Sequence, residues 1–189
     1  VQLTDTARCG GTVEPPIDTI APTVPGAGAK LLFPGADFED FTLFKTQVSS
    51  LGGGLKSYAT SAVGQGFGGG NALAIKGTPG GNDSVFTINA ATLATFPTGA
   101  KYVSFYVKGT SPSKSLSLNV TRSNGTSIDA FNALNFSTNK LLKASTEFQT
   151  NGNGSNDYRG VIDTKGQWVL VTLDLAGLDL NTTSTGTLF

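Results

Sequence analysis

The chain has 189 residues, enough for one good-sized domain, and its 13 basic and 13 acidic residues balance to a net charge of zero. Charged residues make up only 14% of the sequence, whereas a typical soluble domain has about 25%. A nucleic-acid-binding protein would carry a basic stripe, which is not visible here, and no apolar run approaches the ~20 residues of a membrane-spanning helix. Low charge, 25 glycines and abundant Ser, Thr and Asn are typical of an extracellular or cell-surface β-protein.

Residues 1–29 form a separate, extended region. Its four prolines, at positions 15, 16, 22 and 25, fix their own φ angles and lack amide donors, and its glycines loosen the rest. Neither a helical nor an alternating period runs through it. Two interpretations stay open, a flexible linker or stalk and an extended segment that docks on a partner.

Residues 30–189 predict an all-β domain, an antiparallel β-sandwich built from short strands. The clearest strands are 101–108 and 168–175, in which apolar residues alternate with others. In the second strand Val169, Val171 and Leu173 form the predicted core face. The opposite face is expected to meet water at Thr172 and Asp174, and Trp168 is interpreted as a packing residue.

The sandwich is expected to lack its last strand, because Thr187-Leu188-Phe189 reads as a strand that has only begun. Such a gap exposes unpaired backbone groups. A neighbouring subunit could supply the missing strand from residues 1–20, which would make the chain a structural subunit of a cell-surface filament or assembly.

Catalytic chemistry is not expected. The chain has no His, which excludes a Ser-His-Asp triad and His metal sites. Its single cysteine, Cys9, lies in the tail, and no spacing among its carboxylates marks a glycosidase pair.

Sugar binding needs an aromatic platform with polar groups beside it. Tyr102 and Tyr106 lie on the polar face of their predicted strand, and they are the predicted platform. The remaining candidate ligand-binding residues are Asn119, Arg122 and Tyr158. The alternative is that these tyrosines are ordinary half-buried residues of a sandwich.

Three stretches in this order resemble bacterial carbohydrate-binding modules with a galactose-binding-like jelly-roll fold. They are Ala36-Asp37-Phe38-Glu39-Asp40, Gly70-Asn71-Ala72-Leu73-Ala74-Ile75 and the strand that begins at Gly166-Gln167-Trp168. The resemblance implies a jelly roll, a glycan ligand and a structural Ca2+ ion, with Glu39 and Asp40 as calcium ligands. Backbone carbonyls and water would complete the six to eight oxygens that calcium takes.

Overall fold

The computed structural model describes residues 28–50, 53–80, 84–88, 101–113, 116–121, 123, 128–133, 140–143 and 161–179. This part of the chain is mostly β, with one short α-helix and several small sheets, so the predicted fold class is confirmed at that level. The predicted tail falls almost entirely outside the described residues, and so does the segment at 187–189. The boundary between residues 29 and 30 therefore stays a prediction.

Helix α1 spans Phe41–Gln47, and a short 3-10 turn at Phe67–Gly69 lies between the first two strands. The strands in chain order are β1 (Ala59–Ala62), β2 (Ala72–Ile75), β3 (Tyr102–Val107), β4 (Thr110–Ser111), β5 (Leu116–Thr121), β6 (Ile128–Ala133), β7 (Lys140–Lys143), β8 (Ile162–Asp163) and β9 (Val169–Asp174).

The central sheet has the order β3-β9-β7. Strands β3 and β9 pair antiparallel, with Tyr102 opposite Asp174 and Val107 opposite Val169. Strand β7 pairs with β9 in the parallel sense, so this sheet is mixed and the prediction of a purely antiparallel arrangement is wrong here. A parallel pair needs a long crossover connection, and the 144–168 stretch is long enough to provide one. The pairs β1-β2, β4-β8 and β5-β6 are antiparallel.

The hydrophobic core lies against one face of this sheet, as the alternation predicts. Val169, Val171 and Leu173 of β9 are buried there, with Val103, Phe105 and Val107 of β3 packed beside them. The same cluster contains residues from the β5-β6 pair and from the segments around α1, namely Val120, Phe131, Phe33, Phe44 and Ile88.

The opposite face of β9 is more enclosed than predicted. Thr172 is fully buried and Leu170 nearly so, whereas Asp174 is half-buried. The expectation that Thr172 meets water is therefore wrong. Its hydroxyl forms a hydrogen bond with the hydroxyl of the half-buried Ser104 at 3.0 Å, and this bond offsets the cost of burying the threonine hydroxyl.

Helix α1 is anchored at its start and on its buried side. The Asp40 side chain caps the helix by accepting a hydrogen bond from the Leu43 amide at 2.9 Å. Phe44 is fully buried, and the Phe38 ring meets it edge-on with centroids 5.0 Å apart. Phe38 has a φ of 62°, a left-handed conformation that is rare for an aromatic residue. This tight turn therefore sends Phe38 into the core and places the next residue, Glu39, on the outside.

Candidate functional site

An aromatic group lies at one end of the β3-β9 pair, on the face opposite the core. The rings of Phe67 and Tyr106 are stacked, with centroids 3.8 Å apart and planes 8° apart. Trp168 stands almost perpendicular to Phe67, at 6.4 Å and 86°. The ammonium of Lys108 lies 4.8 Å from the centre of the Trp168 ring, within cation–π distance. Phe67, Tyr106, Lys108 and Trp168 together are named the aromatic patch here.

Strand register explains why three of these residues meet. Because side chains alternate along a strand, Tyr106 and Lys108 project to the same side of β3. Val107 pairs with Val169, so Lys108 and Trp168 occupy the next positions across the two strands.

The chain segments next to Lys108 and Trp168 are tied together. The Gly109 amide donates to the Thr164 hydroxyl at 3.0 Å, and the Thr164 amide donates back to the Gly109 carbonyl at 3.1 Å. Thr164 is fully buried, so these hydrogen bonds are shielded from water and are stronger than exposed ones. They therefore fix the position of Gly109 relative to Thr164. The turn continues through Lys165, whose ammonium pairs with the Asp163 carboxylate. Hydrogen bonds from the Lys165 ammonium and main-chain amide lower the pKa of Asp163 below its usual value.

Phe67 arrives from a different part of the chain, on the glycine-rich loop 64–70. The Gly66 amide donates to the Gly70 carbonyl at 2.6 Å, which closes the loop into a tight turn. A Cβ at Gly66 would lie 2.2 Å from the Asn71 carbonyl oxygen, closer than real atoms approach. The loop conformation therefore requires glycine at that position, and its only aromatic residue, Phe67, is 52% exposed.

A hydrogen-bonded clamp joins this loop to the turn before α1. One carboxylate oxygen of Glu39, Oε1, accepts from the Asn71 amide at 2.8 Å. The Asn71 side chain donates to the Glu39 carbonyl at 3.2 Å and accepts from the Gly64 amide at 3.0 Å. A Cβ at Gly70 would lie 2.3 Å from the same Oε1 atom, so Glu39 packs directly on the loop. These three bonds between Glu39, Asn71 and Gly64 are named the Glu39 clamp.

The comparisons with known proteins agree with a binding role. A family model described as "Putative Ice-binding-like adhesive domain" matches residues 4–184. The chain belongs to this family. The match includes most of residues 1–29 as well as the β-rich region. No curated protein and no solved structure matches the chain.

Membership in an adhesive-domain family agrees with the predicted surface or extracellular location. It also agrees with a role in attachment to other molecules. No helix among the described residues of this adhesive domain is long and apolar enough to cross a membrane.

The two tyrosines predicted to form a platform in the adhesive domain differ in their exposure to solvent. Tyr102 is 53% exposed, whereas Tyr106 is half-buried beneath Phe67. Asn119 lies half-buried on β5, which pairs with β6, so the structure does not place it on a strand paired with β3. Arg122 and Tyr158 lie outside the described residues.

The predicted calcium ligands lie side by side on the turn before α1. Asp40 caps the helix and Glu39 forms the clamp, so each carboxylate accepts a main-chain hydrogen bond. Two carboxylates alone do not supply the six to eight oxygens that calcium takes, and the described residues contain no group of three or more acidic, His or Cys side chains that could hold a metal ion. The calcium site therefore stays a prediction.

Sequence reasoning missed Phe67 and assigned Trp168 to packing in the core. Trp168 is half-buried and lies beside the exposed Phe67, not in the core cluster. One signal was available in the sequence. Phe67 is flanked by Gly66 and Gly68, and glycines offer no side chains to bury a large ring, so exposure of that ring could have been anticipated.

Proposed function

We propose that this chain is a non-enzymatic adhesive module of a surface or extracellular protein, and that it attaches by binding carbohydrate at the aromatic patch. The observation that carries the proposal is the exposed Phe67 ring, held flat on Tyr106 at 3.8 Å. The family described as adhesive supports attachment as the role, and the carbohydrate ligand is argued from the chemistry of the patch.

An exposed aromatic ring that is fixed in place suits the C–H face of a sugar. Large aromatic side chains supply apolar contact area, and a ring that is already held in position loses little further entropy when a ligand binds. The loop closure at Gly66 and Gly70 and the stack on Tyr106 both restrict Phe67 before any ligand arrives.

Polar groups beside the ring give a sugar its hydrogen bonds. The Lys108 ammonium lies over Trp168 and is exposed, so it can donate to sugar hydroxyls or to a carboxylate of an acidic sugar. Trp168 adds its own partly exposed surface and an indole N–H donor. The patch thus combines one apolar platform with donors at its margin, the combination that small-molecule sites use.

Two variants with matched exposure test the proposal. Phe67→Ala removes a side chain that is 52% exposed, and Leu31→Ala removes an apolar side chain that is 53% exposed on a different segment. Binding is measured on a glycan array and then by calorimetry with the glycan that the wild type retains.

Phe67→Ala is expected to lower affinity about tenfold, or about 1.4 kcal/mol, because the stacking surface is lost. Leu31→Ala is expected to bind like the wild type. A wild-type domain that binds no glycan on the array, or a Phe67→Ala variant that binds normally, would contradict the proposal.

The same reasoning extends to the fold. We infer that the sheets pack as a sandwich of the jelly-roll kind, because Val120 and Phe131 from β5-β6 share one core cluster with Val171 and Leu173 from β9. Residues of two separate sheets facing one core are what a sandwich requires.

The alternative, a structural subunit of a filament joined by strand exchange, depends on residues 1–20. These residues lie outside the described part of the chain, so no contact bears on it. It keeps its own test, which is argued in the Discussion.

A further inference from the structure

The Glu39 clamp connects two regions that differ in how much apolar surface they bury. On one side lies the turn before α1, which is fixed by the Phe38 ring against the fully buried Phe44 and by the Asp40 helix cap. On the other side lies loop 64–70, which carries an exposed Phe67 and no buried side chain of its own. A loop of this kind has little apolar burial to hold it, so its hydrogen bonds decide its position.

The bonds of the clamp fall at both ends of that loop. Asn71 follows the loop, and its amide donates to the Glu39 carboxylate at 2.8 Å. The Asn71 side chain also reaches back to the Gly64 amide, at the start of the loop, at 3.0 Å. Glu39 accepts two of the three bonds of the clamp, one at its carboxylate and one at its main-chain carbonyl, so it is the main fixed point for Asn71.

We propose that Glu39 is a positioning residue of the aromatic patch: through Asn71 it holds loop 64–70 where Phe67 stacks on Tyr106 beside Trp168. Glu39 itself contacts no ligand in this arrangement. The effect on carbohydrate affinity rests on the proposed function, whereas the effect on the position of Phe67 does not.

Trp168 supplies a readout that needs no ligand. It is the only tryptophan of the chain, and it lies 6.4 Å from Phe67. If the loop moves, Phe67 leaves the indole and water takes its place. Indole emission shifts to longer wavelength in more polar surroundings, so tryptophan fluorescence reports the position of the loop.

Three variants separate positioning from general destabilisation and from metal binding. Glu39→Ala removes the acceptor for the Asn71 amide. Glu39→Gln keeps an amide oxygen that can accept the same bond but removes the charge that a calcium ion would require. Asp40→Ala removes the neighbouring carboxylate, which caps α1 but has no part in the clamp.

For Glu39→Ala we expect red-shifted Trp168 emission in a protein that remains folded by circular dichroism. If the stacked loop is then populated in about a tenth of molecules, affinity for the glycan bound by the wild type falls about tenfold. Glu39→Gln is expected to stay close to the wild type in both measurements. Asp40→Ala is expected to melt at a lower temperature with unchanged Trp168 emission.

Two results would overturn the positioning role: wild-type emission from folded Glu39→Ala, or a Glu39→Gln variant that behaves like Glu39→Ala. Should Glu39→Ala fail to fold, Asn71→Asp takes its place, because it keeps the acceptor for Gly64 but replaces the donor to the Glu39 carbonyl with a negatively charged oxygen, which repels Glu39 and opens the clamp. Unchanged emission from that variant would equally overturn the role. If the emission shifts as expected while the wild type binds no glycan, the positioning role stands and only the carbohydrate function fails.

Discussion

The Phe67 ring lies almost parallel to the Tyr106 ring, with 3.8 Å between their centroids. This is close to van der Waals contact, so the two rings overlap almost completely and one face of Tyr106 is covered. A ligand that approaches from solvent therefore meets Phe67 first, and Tyr106 acts as the support beneath it. The sequence predicts Tyr106 as part of a platform, and in the structure its ring lies beneath Phe67.

Tyr102 is predicted to contribute only to the binding of longer glycans. It lies four residues from Tyr106 on the same side of β3, which is about 13 Å along a strand, and it is 53% exposed. A monosaccharide on Phe67 cannot reach it. Tyr102→Ala should therefore weaken binding of oligosaccharides by calorimetry and leave a monosaccharide unaffected. Equal losses for both ligand lengths would contradict this arrangement.

The glycine-rich loop offers a pair of substitutions that separate a steric clash from backbone strain. Gly66→Ala would place a Cβ 2.2 Å from the Asn71 carbonyl oxygen. We therefore expect the loop to be displaced and the free energy of unfolding to fall by about 1–3 kcal/mol. Gly68 has a φ of 69° and open space around its Cβ position, so Gly68→Ala should cost about 1 kcal/mol from strain alone.

Thermal melts and Trp168 emission of the two glycine variants check this prediction. Only Gly66→Ala is expected to change the emission, because only its clash pushes on Asn71 and the clamp. Identical spectra for the two variants would mean that Phe67 does not depend on the closed form of the loop.

The sequence predicts β3 and β9 well because each strand carries apolar residues at every second position, and these residues pack in the core. It does not predict α1, whose seven residues include two threonines of low helix propensity and are held in a helix by tertiary packing of Phe44. It also misplaces Thr172, because a polar side chain is expected to be exposed. In the structure a hydrogen bond to the Ser104 hydroxyl offsets the free-energy cost of burying the Thr172 hydroxyl.

The site is less predictable than the strands because it depends on contacts between distant parts of the chain. Phe67 lies on the connection between β1 and β2 whereas Tyr106 lies on β3, and only the folded loop brings the two rings together. Likewise, Glu39 and Asn71 belong to two of the stretches that resemble carbohydrate-binding modules. The sequence of those stretches does not reveal the hydrogen bond between the two residues. Residue types predicted an aromatic site on β3, and loop geometry decided which ring faces solvent.

The calcium prediction has a direct thermodynamic test. When the free calcium concentration is 100 times the dissociation constant, binding stabilises the folded state by about 2.7 kcal/mol. Chelation should therefore lower the melting temperature by about 5–10 °C. Asp40→Asn serves as the matched variant, because asparagine can still cap α1 while the charge is lost. Its melting temperature should not respond to chelator. A wild-type melting temperature that chelator leaves unchanged would exclude calcium bound at Glu39 and Asp40.

The strand-exchange alternative is tested by removing residues 1–20. The 29 residues of the predicted tail can span about 90 Å when extended, which is ample to reach a neighbouring subunit. Val1-Gln2-Leu3-Thr4 and Thr12-Val13 are short and compatible with a β-strand, and strand addition would satisfy backbone groups along an exposed sheet edge. If the chain assembles in this way, the shortened protein should give monomers or aggregates by light scattering in place of ordered assemblies.

The aromatic patch offers an internal control for that deletion, since none of its residues lies in the removed segment. Under strand exchange, the shortened chain should lose assembly while the Trp168 emission keeps its wild-type wavelength. Assembly that persists without residues 1–20, or a tail that pairs with its own domain, would rule out the filament role. In that case the proposed attachment would depend on the patch around Phe67 without strand exchange.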